Sequence, residues 1–173
     1  MDEKKDYWKI YDSIESSIKF ADTKAIAFIG IIGILLNFFQ KQLMEVLTLP
    51  ATNSLKILCI ISIFSLISSL ILSILCLYPR KSDETDKNAF YYKSIAKNFS
   101  EKEYCKYLHE IPNKTFNEQL NVQIYQLATV CDEKYKYVKY SLRLFIIGIG
   151  LLILLLILLY FNISTDVINL KIA

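Results

Sequence analysis

The sequence predicts an all-α membrane protein with three transmembrane helices, whose long helical extensions form a cytoplasmic helical bundle. Three observations carry this reading. First, charge is absent from three windows, 25–40, 57–78 and 144–165, in a chain of 173 residues that is 54% hydrophobic. About 20 apolar residues, rising about 1.5 Å each, cross a bilayer core. Second, apolar residues outside those windows recur at helical spacing. Third, capping boxes at Ser100 with Glu103 and at Thr115 with Glu118 mark helix starts between the second and third windows.

In chain order, 1–24 reads as a cytoplasmic amphipathic helix that continues into the membrane. Tyr7, Tyr11, Ile14, Ile18 and Ala21 share one face, while Glu15, Lys19 and Asp22 lie elsewhere. No small-residue cleavage site ends the first apolar stretch, so this helix is expected to persist in the mature protein. Transmembrane helix 1, 25–40, is short for a span, but Lys24 and Lys41 can snorkel from its ends. Gly30 and Gly33 give it a face for close helix contact, with Asn37 near its outer end. Asp22, Lys24 and Arg80 place charge at the inner boundary, where an unpaired charge is costly, so Asp22 is expected to pair with Arg80 or Lys134. An external loop is expected at 41–56, around Pro50 and the turn formers Thr52, Asn53 and Ser54.

Transmembrane helix 2, 57–78, carries Cys59, Ser62, Ser65, Ser69, Ser73 and Cys76 at spacings of 3, 3, 4, 4 and 3, one narrow helical stripe. Small residues there let another helix approach closely. Alternatively, copies of the helix gather with the serines inward and line an aqueous path. Both readings use the same four serines.

The cytoplasmic helical region, 79–143, opens on a hydrated linker and reads as three helices. The first covers 88–98. Ser100 with Glu103 forms a capping box for the second, which ends at Ile111-Pro112, and Thr115 with Glu118 forms a box for the third. From Phe116 through Phe145 apolar residues recur every three or four positions, so the third helix is expected to run to about Asn162, roughly 70 Å. Transmembrane helix 3 occupies 144–165, and 166–173 is an external tail.

Catalysis is not expected: no phosphate-cradling glycine loop, nucleophile elbow or zinc-protease motif is present. The four cysteines lack paired spacing, and Cys105 with His109 supplies two metal ligands at most, so neither a metal site nor a cofactor is expected. Bases and aromatics alternate in Lys134-Tyr135-Lys136-Tyr137-Val138-Lys139-Tyr140. This is either an interfacial belt against acidic lipid or a surface that stacks bases and neutralises phosphate. In the second reading Tyr91, Tyr92, Tyr104, Tyr107 and Arg80 join it.

Several short runs resemble one family. They are Phe20-Ala21-Asp22-Thr23-Lys24-Ala25, Leu77-Tyr78-Pro79-Arg80, the stretch 90–96, and Gln123-Ile124-Tyr125-Gln126-Leu127-Ala128 followed by Lys134. Together they resemble the Pycsar effectors, small bacterial membrane proteins encoded beside nucleotide-synthesising enzymes in anti-phage operons. The resemblance implies a multi-pass protein of the bacterial inner membrane, controlled by a nucleotide and impairing the infected cell's membrane. A homo-oligomeric ion channel or pore, with a tetramer as the expected assembly, fits that role. Its partners would be membrane lipid and a regulatory nucleotide, or a short oligonucleotide as in Hailong-like operons, made by a neighbouring nucleotidyltransferase or cyclase. The alternative from another class is a membrane anchor or scaffold whose cytoplasmic helices recruit a partner protein.

Lys and Arg number five before the first span, two between the first and second, twelve between the second and third, and one after the third. By the positive-inside rule the amino terminus is cytoplasmic and the carboxyl terminus external. A cytoplasm-specific reporter is expected to be active when fused before Met1 and silent after Ala173; the reverse pattern would overturn the topology.

Overall fold

The structure, a computed structural model, describes residues 3–48, 53–78 and 88–172, with side chains described for 6–44, 46–47, 53–78 and 88–161. Within them are five helices: α1 (Glu3–Thr48), α2 (Asn53–Leu77), α3 (Tyr92–Asn98), α4 (Glu101–Glu110) and α5 (Asn113–Ile172). Among the described residues no strand occurs. Three helical stretches, Asp6–Met44, Asn53–Leu77 and Asn113–Phe161, are long and apolar enough to cross a membrane. The chain divides into two compact units: 1–21 with 78–135, and 22–77 with 136–173.

The membrane-type unit packs α2 antiparallel to α5. Ser62 Oγ donates to the Gly148 carbonyl at 3.0 Å and Ser65 Oγ to the Leu144 carbonyl at 2.8 Å. Ser69 Oγ donates to the Ser141 carbonyl at 2.8 Å, and Ser141 Oγ returns a bond to the Ser69 carbonyl at 3.0 Å. Carbonyls 141, 144 and 148 lie on one helical face of α5, so a single stripe of hydroxyls meets a single stripe of acceptors. α1 joins through Phe28, whose ring lies 5.6 Å from that of Phe145, and through a cluster of Leu43, Val46, Leu55, Cys59, Leu152 and Leu155.

That cluster explains why helix replaces most of the expected external loop. Leu43 and Val46, one turn apart, are buried on α1, and Leu55 is buried near the start of α2. Extending both helices covers these side chains, which leaves only 49–52 between them. At the other end α5 continues to Ile172, into the expected tail, because neither proline nor glycine follows Gly150.

In the second unit two helix starts differ from expectation. α3 begins at Tyr92 rather than near Asn88, because Asn88 competes for its own backbone: its Oδ1 accepts from Phe90 N at 2.8 Å. Ser94 Oγ accepts from Asn88 N at 2.8 Å, fixing the turn. The Ser100–Glu103 capping box of α4 is present. The Thr115–Glu118 box is not a cap, because α5 already starts at Asn113, where Phe116 N donates to the Pro112 carbonyl at 3.0 Å. Proline lacks an N–H, so it sits without loss at a helix entrance.

Gln119 on α5 clamps the 88–91 turn. Its Oε1 accepts from Ala89 N at 3.1 Å, and its Nε2 donates to the Tyr107 hydroxyl at 2.9 Å. Tyr104 donates its hydroxyl to the Ala89 carbonyl at 2.8 Å. Gln119→Leu strands the Ala89 N–H and is expected to destabilise this unit by about 1–3 kcal/mol. Faster hydrogen exchange at Ala89 with a lower melting temperature would show it, and unchanged exchange would remove Gln119 from this role.

Candidate functional site

A cleft of 710 Å³ lies within the unit formed by 1–21 and 78–135. Three separated segments build its walls. α1 supplies Tyr11 and Glu15, one turn apart. The clamped turn and the start of α3 supply Phe90, Tyr91 and Tyr92, and α5 supplies Gln123, Tyr125, Gln126, Leu127, Thr129, Val130 and Glu133. The Asn88 turn positions the middle segment, and edge-on ring contacts hold it. Phe90 lies 5.9 Å from Trp8 and 4.9 Å from Phe116, and Tyr91 lies 5.2 Å from Tyr92. Tyr91 is buried, whereas Tyr92 and Tyr125 are 67% and 74% exposed and stand at the open edge.

The lining is aromatic and amide, and Glu15 and Glu133 are the charged residues among the described ones. Burial, then the Glu15 and Asp12 carboxylates, push the Tyr11 phenol above its ordinary pKa, so it remains a neutral donor at physiological pH. Gln123 is only 7% exposed, and its Oε1 is buried without a hydrogen-bond partner among the described residues. An orphaned buried acceptor costs about 1–3 kcal/mol, which a donor from a bound molecule would offset. Just beyond the cleft, burial and the Asp132 carboxylate raise the Cys131 thiol, with Lys134 opposing them; the protonated thiol is a poor nucleophile or metal ligand.

Of the residues singled out from sequence, Tyr91 and Tyr92 line this cleft. The alternating run does not: the α5 lining ends at Glu133. Lys134 is buried, Tyr135 and Tyr137 are half-buried, and Lys136 and Lys139 are exposed. Tyr104 and Tyr107 pack against Phe99, with ring centroids 5.6 and 4.9 Å away, and their hydroxyls bind the Ala89 carbonyl and Gln119, so they support the fold. Asp22 and Lys24 are half-buried on α1, and each has an interaction partner. Arg80 lies outside the described residues. The sequence reading missed Tyr11, Glu15, Phe90, Gln123 and Tyr125 as a group. Two of the runs that carry the family resemblance, 90–96 and 123–128, meet at this cleft, and that was the available signal.

The Pycsar effector protein domain family matches residues 6–161. The chain is 30% identical over 147 residues to the Pycsar effector protein SaPycTM of Staphylococcus aureus, covering 84% of this chain and 87% of that one. The chain belongs to the Pycsar effector family. It is a transmembrane effector of anti-phage defence. No solved structure matches it.

In this Pycsar effector the serine stripe faces α5 of the same chain. Ser62, Ser69 and Ser73 are fully buried and Ser65 nearly so, and Ser73 Oγ lies 2.7 Å from Ser141 Oγ. The glycine that makes close approach possible is on α5. A Cβ at Gly148 would meet Leu66 Cδ2 at 2.8 Å and its backbone N at 3.3 Å. Gly30 and Gly33, expected to support close contact, have nothing within 4 Å of a built Cβ. Glycine spacing marks a helix that permits approach, but not which neighbour comes.

Ser69→Leu and Gly148→Leu are therefore expected to force α2 and α5 apart, each costing about 1–3 kcal/mol, whereas Ser69→Ala costs about 1 or less. A Ser69→Cys thiol, in a background with Cys59 and Cys76 replaced by Ser, is expected to resist a water-soluble thiol reagent. Rapid modification with loss of current would instead place Ser69 in an aqueous path.

Proposed function

We propose that this Pycsar effector is a nucleotide-controlled, homo-oligomeric ion channel or pore of the bacterial inner membrane, with its amino terminus cytoplasmic. Its opening would impair the membrane and arrest or kill the infected cell. The single observation that carries the nucleotide part is the cleft: aromatic walls and a buried amide oxygen without a partner among the described residues suit a base, and the two resemblance runs border it. The controlling nucleotide, or short oligonucleotide, would come from a neighbouring cyclase or nucleotidyltransferase. The chain performs no catalysis on this reading.

The serine stripe is occupied within each chain, so the path in a tetramer would use another face. α1 offers one: Thr23, Gly30, Gly33 and Asn37 are exposed on it, and their side chains are small or polar where lipid favours large apolar ones. Gathered copies would bring these positions toward a common axis, with Asn37 supplying an amide to ions or water.

Purified protein in liposomes tests the reading through ion flux with a panel of cyclic mononucleotides and short DNA strands. Flux that changes with one ligand class supports it. Tyr125→Ala, at an open edge where the fold loses little, is expected to raise the half-maximal nucleotide concentration at least about fivefold. Absence of flux under every ligand and without ligand, from protein that still co-purifies a cytoplasmic partner, would favour the scaffold.

A further inference from the structure

We infer that the face of α5 turned away from α2 holds an acidic phospholipid where the helix enters the membrane. Lys139 and Arg143 bind the headgroup phosphate, and the acyl chains lie along the apolar residues that follow on the same face.

The chain itself leaves this face open. Carbonyls 141, 144 and 148 accept the serine hydroxyls of α2, and the Phe145 ring meets α1. At 3.6 residues per turn, Lys136, Lys139, Arg143, Ile147, Gly150 and Leu154 fall on the opposite side, and all six are exposed. Along that side the cations come first and the apolar residues after them. No Asp or Glu occurs between Glu133 and Asp166, so nothing acidic interrupts the order. A phospholipid laid beside the helix has the same order, with phosphate at the boundary and chains within. Gly150 leaves a notch between Ile147 and Leu154, since a Cβ built there meets nothing within 4 Å.

Register makes the cations costly without such a partner. Ser69 bonds the Ser141 carbonyl and Ser65 the Leu144 carbonyl across antiparallel helices. Lys139 therefore stands level with about residue 71 of α2, and Arg143 with about residue 67. Ile67 and Ile71 are both exposed, as lipid-facing residues are. Arg143 is thus level with the middle of the uncharged window 57–78, roughly 16 Å from its inner end. A cation at the height of acyl chains reaches for the headgroups or draws them toward it, and acidic phosphate is the counter-charge a membrane supplies.

The protein does not supply that counter-charge itself. Among the described residues no ion pair holds Lys139 or Arg143. The Arg143 guanidinium lies 5.8 Å from the centre of the Tyr140 ring, a contact that leaves its N–H groups available to phosphate oxygens. Lys136 already interacts within the protein, so the site rests on the other two cations. A soluble anion would satisfy their charge but leave Ile147 and Leu154 without an occupant, whereas a lipid covers both ends of the face.

The test uses the full-length protein in detergent with an equal mixture of phosphatidylglycerol and phosphatidylcholine, and counts the lipids that stay bound by native mass spectrometry. Each Lys or Arg beside acidic lipid is worth about fivefold in preference, so phosphatidylglycerol is expected to be retained about tenfold over phosphatidylcholine or more. Lys139→Gln with Arg143→Gln should cut that ratio to about twofold or less. The charge-conserving pair Lys139→Arg with Arg143→Lys should keep it, which guards against misreading a folding defect. Lys41→Gln, at the far end of the first span, should leave it unchanged, and Gly150→Leu should lower retention of both lipids without altering their ratio. A ratio that survives the double glutamine substitution, or that falls as far with Lys41→Gln, would overturn the inference. So would loss of bound phosphatidylglycerol on adding sn-glycerol 3-phosphate, which would assign the cations to a soluble phosphate. Equal retention of the two lipids by the unmodified protein would overturn it as well. In that case a changed oligomer size in the double variant would point to a second copy on this face, and a changed charge selectivity of liposome flux to an aqueous path.

Discussion

Hydroxyl-to-carbonyl bonding between α2 and α5 is the interaction on which the membrane-type unit depends. Lipid tails are as apolar as leucine, so burying leucine between helices gains little there, and association must come from close packing and polar contacts. The chain answers both needs with one stripe. Serine is small enough for the helices to approach, and its hydroxyl bonds the partner's backbone. Ser141 marks the tightest point, exchanging bonds with Ser69 and lying within bonding distance of Ser73. Gly148 permits the same approach further along α5 by leaving room for Leu66. The large residues Phe64, Ile71 and Ile74 are left exposed on α2, as a lipid-facing surface requires.

The second unit is held differently, by rings and amides in reach of water. Its organising feature is a short turn rather than a helix. Asn88 closes the turn, Ser94 receives its backbone N–H, and Gln119 and Tyr104 take the donor and acceptor of Ala89. With four bonds spent on three residues, Phe90, Tyr91 and Tyr92 leave the turn in set directions. Two polar fixings, one on each side of the chain, thus create an aromatic wall that helix propensity alone would have wound into α3.

The legibility of the sequence follows the same division. Membrane windows are plain because lipid excludes charge over a fixed length, so the three spans can be read by inspection. Helix ends are less plain, since a side chain can compete with the backbone, as Asn88 does, or a buried cluster can prolong a helix, as Leu43 and Val46 do on α1. The serine stripe was visible as a stripe, but its neighbour was not, because periodicity identifies a face without naming what covers it. The cleft was hardest. Tyr11, Phe90 and Gln123 stand far apart in the chain, and none is unusual where it stands. The lysine and tyrosine alternation drew attention instead, because charge and aromatic pattern are local signals and a cleft assembled from three segments is not. The 123–128 run pointed to the cleft only through resemblance to a family.

On the proposed reading, the energetics also favour an assembly over a single chain. A ligand that moves a closed state at about 99% to an open state at about 99% must bind the open form better by about 5.5 kcal/mol. One base in one cleft is poorly placed to supply that. A stacked ring contributes about 1–3 kcal/mol, a satisfied acceptor a similar amount, and only the part that differs between the two states counts. Divided over four copies that switch together, the requirement falls to about 1.4 kcal/mol per copy, the worth of one hydrogen bond made in one state and absent in the other. The elements that build the cleft are suited to sense such a difference. α1 carries both Tyr11 and Phe28, and α5 carries both Gln123 and Ser141, so a ligand that draws the cleft walls together acts on the helices whose register the membrane contacts set. A hydrogen bond at Gln123 that forms only when the walls close would then be large enough, summed over the copies, to decide whether the assembly conducts.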